Sequence, residues 1–410
     1  MGRGSNSSRL GRYNKSILLT ELRRCDQASK AMLTQRSGLS PQAVSRIVDE
    51  LDETGLVRRC GQKRGGKGQP STLYTIDPSG AYAIGVKVGR RYMDLLLMDF
   101  GGRTLGRISH KYTWPDPEAM LPKIGRGLAD LTGRLTTDQQ RRLMGVGVAM
   151  PWFIGEWARE LGMSQEAAEK WRSIDFGKTL AELTTLPVFF ENDDSAAAIA
   201  ELLFGCGIEI SNFLYVYIGT FVGGGVVING NLEPGAHGNS GAIASMPVPP
   251  SKLDSASSQT DEPADGVELL NRASLFVLQR HLAAHGIDVA DDIADLDKVM
   301  DRARPFVDEW LADCADALVH ALCAAVCVLD PEALVIDSQL PRPLIEELTA
   351  RVAERLERNP PPGVMKPRVL TGRLGAEANA MGGAILPFYS NFVLDRTVLL
   401  TGGVPQRIRV

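Results

Sequence analysis

From Gly38 to Leu51 the chain allows little but a helix with a fixed start, and no other stretch constrains the fold as much. Ser40 is a natural N-cap, and Pro41 suits a first helical position, where a missing N–H costs nothing. Val44, Ile47, Val48 and Leu51 recur at i, i+3, i+4 and i+7, giving one apolar stripe. Gln42, Ala43, Ser45 and Arg46 are left on the outward face or near the helix start. Two helices should precede it. Tyr13 to Arg24 would bury Ile17, Leu18 and Leu22, and Ser29 to Arg36 would bury Met32 and Leu33, with Gly38 as the turn. After Gly55, Leu56 to Arg59 and Ser71 to Ile76 read as strands joined by the basic, glycine-rich loop from Gln62 to Pro70. The pattern predicts a winged helix-turn-helix over residues 1–78 with double-stranded DNA as its partner. Gln42, Ser45 and Arg46 would face base edges in the major groove, and Arg64 and Lys67 the backbone or minor groove.

Charge divides the chain in the same place. Residues 1–76 carry a net +8 and the remainder −12, within a total of −4. A basic head on an acidic body fits a DNA-binding module fused to something that must not adhere to DNA. No apolar run approaches the ~20 residues of a membrane span and no secretory leader is evident, so a cytoplasmic location without membrane contact is expected. Cys25, Cys60, Cys206, Cys314, Cys323 and Cys327 lack Cys-x-x-Cys spacing and read as structural.

From Tyr82 onward the pattern alternates strands and helices. Ala83 to Val88, Met93 to Met98 and Arg103 to Ser109 read as neighbouring strands, Pro117 to Leu135 as a helix, and Met144 to Ala149 as a strand closed by Pro151. A second cycle follows. It has a strand over Pro187 to Phe190, a helix over Ser195 to Leu203 and a hairpin of Phe213 to Ile218 with Gly224 to Ile228. Helices fill most of Val267 to Val328, and a strand covers Ala333 to Ile336. The fold class is α/β. Two halves, 79–200 and 201–410, follow the head in the element order of actin-like sugar kinases.

The segments Gly145 to Pro151, Glu191-Asn192-Asp193 with Ala196 to Ala198 and Glu201, Tyr217 to Thr220 with Gly223 to Gly225, and Gly235 to Gly241 resemble the ROK family of repressors, open reading frames and kinases. The resemblance covers nearly the whole chain and is to the repressor branch. It implies a body derived from a sugar kinase, in which Asp193 stands at the family's catalytic base. The departures oppose catalysis. The family's Asp-x-Gly-Gly-Thr-like turn is here Lys87-Val88-Gly89-Arg90-Arg91, which removes an oxygen ligand for magnesium. Phe221 adds bulk to the second phosphate turn, and Asp337-Ser338 replaces a glycine pair on the nucleotide side. The zinc-binding Glu-x-Gly-His pattern reads Ala242 to Ser245, and Lys252 to Gly266 contains no cysteine. Neither metal nor other cofactor, nor enzymatic activity, is therefore expected.

Asn192 and Asp193 would bind hydroxyls of a sugar-like effector held between the two halves; the alternative is that they cap the following helix. Trp152, first of a tryptophan trio with Trp157 and Trp171, would stack on a sugar ring, against the alternative of a core anchor. His237 joins the candidate effector residues. The expected function is a regulator, in the repressor sense, of carbohydrate genes, acting as a homodimer or tetramer on a palindromic operator. The alternatives are a sugar kinase with a DNA-binding head and an effector-independent repressor.

Overall fold

A computed structural model describes residues 7–63, 70–152, 154–158, 163–253, 255, 267–289, 293–358 and 362–393. The head runs α1 (Ser7–Cys25), β1 (Ala28–Ser29), α2 (Lys30–Ser37), α3 (Pro41–Glu53), β2 (Val57–Lys63) and β3 (Ser71–Ile76). Its helix starts follow from the sequence. Ser29 Oγ accepts from Met32 N at 3.3 Å, Ser40 Oγ accepts from Ala43 N at 3.3 Å, and Pro41 opens α3. Gly38, at φ 69°, takes the left-handed conformation that ends α2. Val44, Ile47, Val48 and Leu51 are buried with Leu18, Leu19, Leu22 and Leu33. Ile17 and Met32 are only half-buried. The first wing strand extends to Lys63, and its Arg58 to Lys63 segment is exposed. A two-residue strand, unforeseen in the sequence, completes a sheet of order β1-β3-β2 by pairing Ala28 with Tyr74 and Ser29 with Leu73.

The chain divides into two units, 1–199 with 379–410, and 200–378. Beyond the head, the first contains β4 (Tyr82–Val88), β5 (Tyr92–Asp99), β6 (Thr104–Lys111), α4 (Pro117–Gly133), α5 (Thr137–Gln140), β7 (Leu143–Ala149), α6 (Gln165–Ser173), α7 (Phe176–Ala181), β8 (Val188–Glu191) and most of α8 (Asp193–Phe204). Its sheet order is β6-β5-β4-β7-β8, antiparallel on the β5 side of β4 and parallel on the β7 side. The expected 201–410 half therefore needs correction, because the chain returns to the first unit at Asn379.

Close packing explains that return. A Cβ on Gly85 of β4 would lie 2.1 Å from Ala384 N, and one on Gly147 of β7 2.0 Å from Gly383 O. Only bare backbone lets the helix Glu377–Phe392 lie this near the sheet. Phe388 and Phe392 of that helix meet Phe100 edge-on, with ring centroids 5.4 and 4.9 Å away. Arg23 of α1 lies over the same Phe100 ring at 4.5 Å and donates to Phe100 O at 2.9 Å. Asp77 N donates to Leu56 O at 3.0 Å, and Arg142 donates to Ser79 O at 3.1 Å. The head is thus held against the sheet at both ends of its linker.

The second unit repeats the sheet plan. β9 (Phe213–Ile218) and β10 (Val222–Ile228) form the expected hairpin. With β11 (Asn231–Leu232), β14 (Ala333–Ser338) and β15 (Arg368–Thr371) they give the order β11-β10-β9-β14-β15. Again three strands are antiparallel and the last pairings parallel. β12 (Pro247–Val248) and β13 (Val267–Glu268) make a separate ribbon. The helices are α9 (Leu270–Ala273), α10 (Leu275–Ala284), α11 (Leu296–Leu329) and α12 (Arg342–Arg358); α13 (Glu377–Phe392) is the returning helix. By length and composition α11 is apolar enough to cross a membrane. Here it is the central helix of the unit, burying Trp310, Leu311, Leu318 and Leu322. Cys327, on its last turn, is exposed.

Candidate functional site

On α3, Gln42 and Arg46 are exposed and Ser45 is half-buried. Arg46 makes only a loose contact with Glu50, 3.9 Å apart, and so can reorient towards a base. Ser45 is more constrained than its sequence indicates. Its Oγ accepts from Lys30 Nζ at 2.9 Å and donates to Asp49 Oδ2 at 3.3 Å, while Lys30 also bonds Asp49 at 2.6 Å. The Lys30 hydrogen bond holds the Asp49 carboxyl below its ordinary range. Asp49 is one turn beyond Ser45, so without Lys30 it would set an unbalanced negative charge beside the reading face. Arg64 and Lys67 lie outside the described residues; Arg58, Arg59 and Lys63 are the exposed cations of the described wing.

The other polar cluster lies at the C-terminal edge of the parallel strands β4, β7 and β8. Asn192 Oδ1 accepts from Asp194 N at 3.0 Å and Ser195 N at 3.3 Å, the geometry of a helix cap. Asp193 points instead to Lys87, which ends β4, and accepts a hydrogen bond from its ammonium. The Lys87 side chain is 4% exposed and that of Asp193 13%. A lysine flanked by apolar residues within a strand signals a buried acid partner, because an isolated ammonium there would be very costly. Burial, reinforced by the neighbouring Asp193, raises the Asp194 pKa well above its ordinary value. Burial also pushes Glu191 up to about 7, partly offset by the hydrogen bond it accepts from Asn192 N at 2.8 Å.

Trp152 follows β7 and is buried. Trp171 donates through Nε1 to Pro115 O at 2.7 Å and packs on Phe176, so it anchors α6 to the core. Trp157 ends a short 3-10 turn begun at Ile154. Lys87, Asn192, Asp193 and Trp152 thus belong to the first unit. His237 belongs to the second, exposed in the turn after β11.

The turns at Phe221 and Asp337 have structural partners. The carbonyls of Gly219 and Thr220 accept from Leu275 N at 3.0 Å and Phe276 N at 3.2 Å, which ties the Phe221 turn to the start of α10. Asp337 is fully buried and accepts from Tyr215 Oη at 3.2 Å, Gly375 N at 3.0 Å and Ser338 N at 2.9 Å. Burial, then repulsion from Glu201, raises its pKa to about 7. Where the polar loop begins at Lys252, buried Arg272 binds Asp313 at 2.7 and 3.0 Å and donates to Pro249 O at 2.9 Å. Asp313 in turn accepts from Ser251 Oγ and Lys252 N. Among the described residues no cluster of three or more His, Cys, Asp or Glu side chains suits a metal ion.

Comparison with known proteins gives consistent results. The chain is 28% identical over 364 residues to an uncharacterized protein of Sinorhizobium fredii, covering 88% of this chain and 86% of that one. It is 28% identical over 242 residues to the Bacillus subtilis xylose repressor, 58% of this chain and 61% of the repressor. With the Escherichia coli dual regulator NagC the figures are 24% over 226 residues, 54% of each chain. The chain thus spans only about half to three fifths of those two regulators. A solved ROK family transcriptional regulator, homologous to the E. coli MLC protein, superimposes with a TM-score of 0.65 at 19% identity over 95% of this chain and 99% of that one. A Streptomyces griseus ROK glucokinase, solved with glucose and AMPPNP, gives 0.56 at 21% identity over 75% of this chain and 99% of that one. Both share the fold. Residues 83–388 match the ROK family, and the chain belongs to it.

Proposed function

We propose that this protein is a transcriptional regulator, in the repressor sense, that binds a palindromic operator as a dimer and answers to a carbohydrate-like effector in the cytoplasm. The carrying observation is a complete helix-turn-helix on a ROK body, with α3 presenting Gln42 and Arg46 outward. The names of the B. subtilis and E. coli relatives support the same reading. The body binds rather than catalyses. Asp193, where the family resemblance puts the base, is already engaged in an ion pair with Lys87. It remains an acceptor for a hydroxyl, and Trp152, three residues beyond β7, is the apolar contact offered by the same unit.

Selecting genomic fragments with purified protein, with and without a pooled carbohydrate library, tests the proposal. A palindrome whose recovery changes with the pool supports it, whereas random recovery refutes DNA reading. The shared fold with a glucokinase favours a second reading, a kinase bearing a DNA-binding head. Sugar-dependent ADP release from ATP would establish that reading instead.

A further inference from the structure

The segment that ends β4 carries three cations in five residues, Lys87, Arg90 and Arg91. Its turn is held rigidly. Gly89 N donates to Tyr92 O at 2.9 Å, and the Tyr112 hydroxyl lies 2.6 Å from Gly89 O and 2.8 Å from Tyr92 O. The single Tyr112 O–H proton is shared between the two carbonyls. Arg91 Nη1 is fixed on Thr113 O at 2.6 Å. The turn stands at the C-terminal edge of parallel strands, where open α/β sheets place their ligands.

The polar groups around Lys87 leave part of its hydrogen-bonding capacity unused. Asp94, opposite Lys87 in the β4–β5 register, is already engaged by Arg107 and Ser109. Among the described residues, Lys87 makes one hydrogen bond, to Asp193 Oδ2, and an ammonium has three donors. The second oxygen of Asp193 accepts no hydrogen bond from the described residues. Lys87 and Arg91 outweigh Asp193 at this edge, and burial favours the neutral forms of Asp194 and Glu191. Relative to an Asp-x-Gly-Gly-Thr turn, lysine for aspartate adds two positive charges and the two arginines add one each. A charge that a metal ion would supply to such a turn is here part of the chain.

We propose that this edge reads a carboxylate, and that the effector is a sugar acid whose acid group lies on Lys87 and the Arg90 turn and whose hydroxyl lies on Asp193. A singly charged, planar acid suits the spare ammonium donors, whereas a phosphate dianion would meet stronger repulsion from Asp193. This inference rests on the effector-controlled reading above and specifies its ligand class.

Isothermal titration of the full chain at fixed ionic strength tests it with matched pairs: glucuronate against glucose, gluconate against glucitol and xylonate against xylose. Glucose 6-phosphate and inorganic phosphate serve as competing anions. The expected result is that at least one acid binds about tenfold or more tightly than its neutral partner, a preference lost in Arg90→Gln and in Lys87→Gln. Arg90→Gln keeps the test valid if Lys87→Gln fails to fold. Equal binding of neutral partners, tighter binding of the phosphate ester, inorganic phosphate matching the acids, or a preference surviving Arg90→Gln would overturn the inference and leave effector control standing. If no compound binds while operator binding is intact, the effector reading fails together with this one.

Discussion

Gln42 and Arg46 project from α3 without engaging the core, so replacing either separates recognition from folding. Gln42→Ala and Arg46→Ala are each expected to weaken operator binding about tenfold or more, with an unchanged melting temperature. A fluorescence anisotropy titration at fixed salt measures the first effect and a thermal melt the second. Lys87 should behave oppositely. Lys87→Met strands a largely buried Asp193 and is expected to cost about 3 kcal/mol in urea unfolding, while adding Asp193→Asn should restore much of that loss. Full additivity in the double mutant would show that the two side chains do not act as a pair. Asp337 gives a pH signature. With a folded pKa of about 7, it keeps a proton between about pH 4 and pH 7 that the unfolded chain has lost. Stability therefore falls as pH rises through that window, and Glu191, also near 7, acts in the same direction. Asp337→Asn is expected to reduce the fall between pH 5 and pH 8 by about 2 kcal/mol in urea titrations, and an unchanged slope would exclude Asp337 as its source.

At the scale of elements, α3 was legible because cap, proline and apolar spacing all act within one helix. The strands β4, β5, β7 and β9 were legible because their apolar runs lie between clear turn signals. Strand β1 was not, because two residues of strand depend on the distant Tyr74 and Leu73 for their pairing. The helices α12 and α13 and strand β15 were also missed, and α13 belongs to a unit whose other elements end nearly two hundred residues earlier. The candidate site was legible to the same degree. Asn192, Asp193 and Lys87 were each notable in sequence, but the Lys87–Asp193 pair joins residues 106 positions apart and no local pattern encodes it. The Arg272–Asp313 pair was equally hidden, and it ties the start of the polar loop to α11. Arg272→Met should lower stability by about 3 kcal/mol or more, because Asp313 would remain buried without its counter-charge. Chemical denaturation measures this, and a loss below about 0.5 kcal/mol would mean that water or another cation replaces the guanidinium.

At the scale of the whole molecule, the first unit is built from both ends of the chain. A protein stopped before Glu377 would keep the strands of that unit but lose the helix that covers Gly85 and Gly147 and packs on Phe100. It is expected to expose the sheet, lose cooperative melting and be cleaved in limited proteolysis within residues 82–200, where the full chain resists. Equal resistance of the two proteins would show that α13 is dispensable. The late position of α13 also has a consequence for biosynthesis. The head can form its own small core soon after it leaves the ribosome, but the support beneath Arg23 is finished only when α13 emerges. A polypeptide stopped before α13 would thus carry a reading helix on an unfinished base, exposed to proteases.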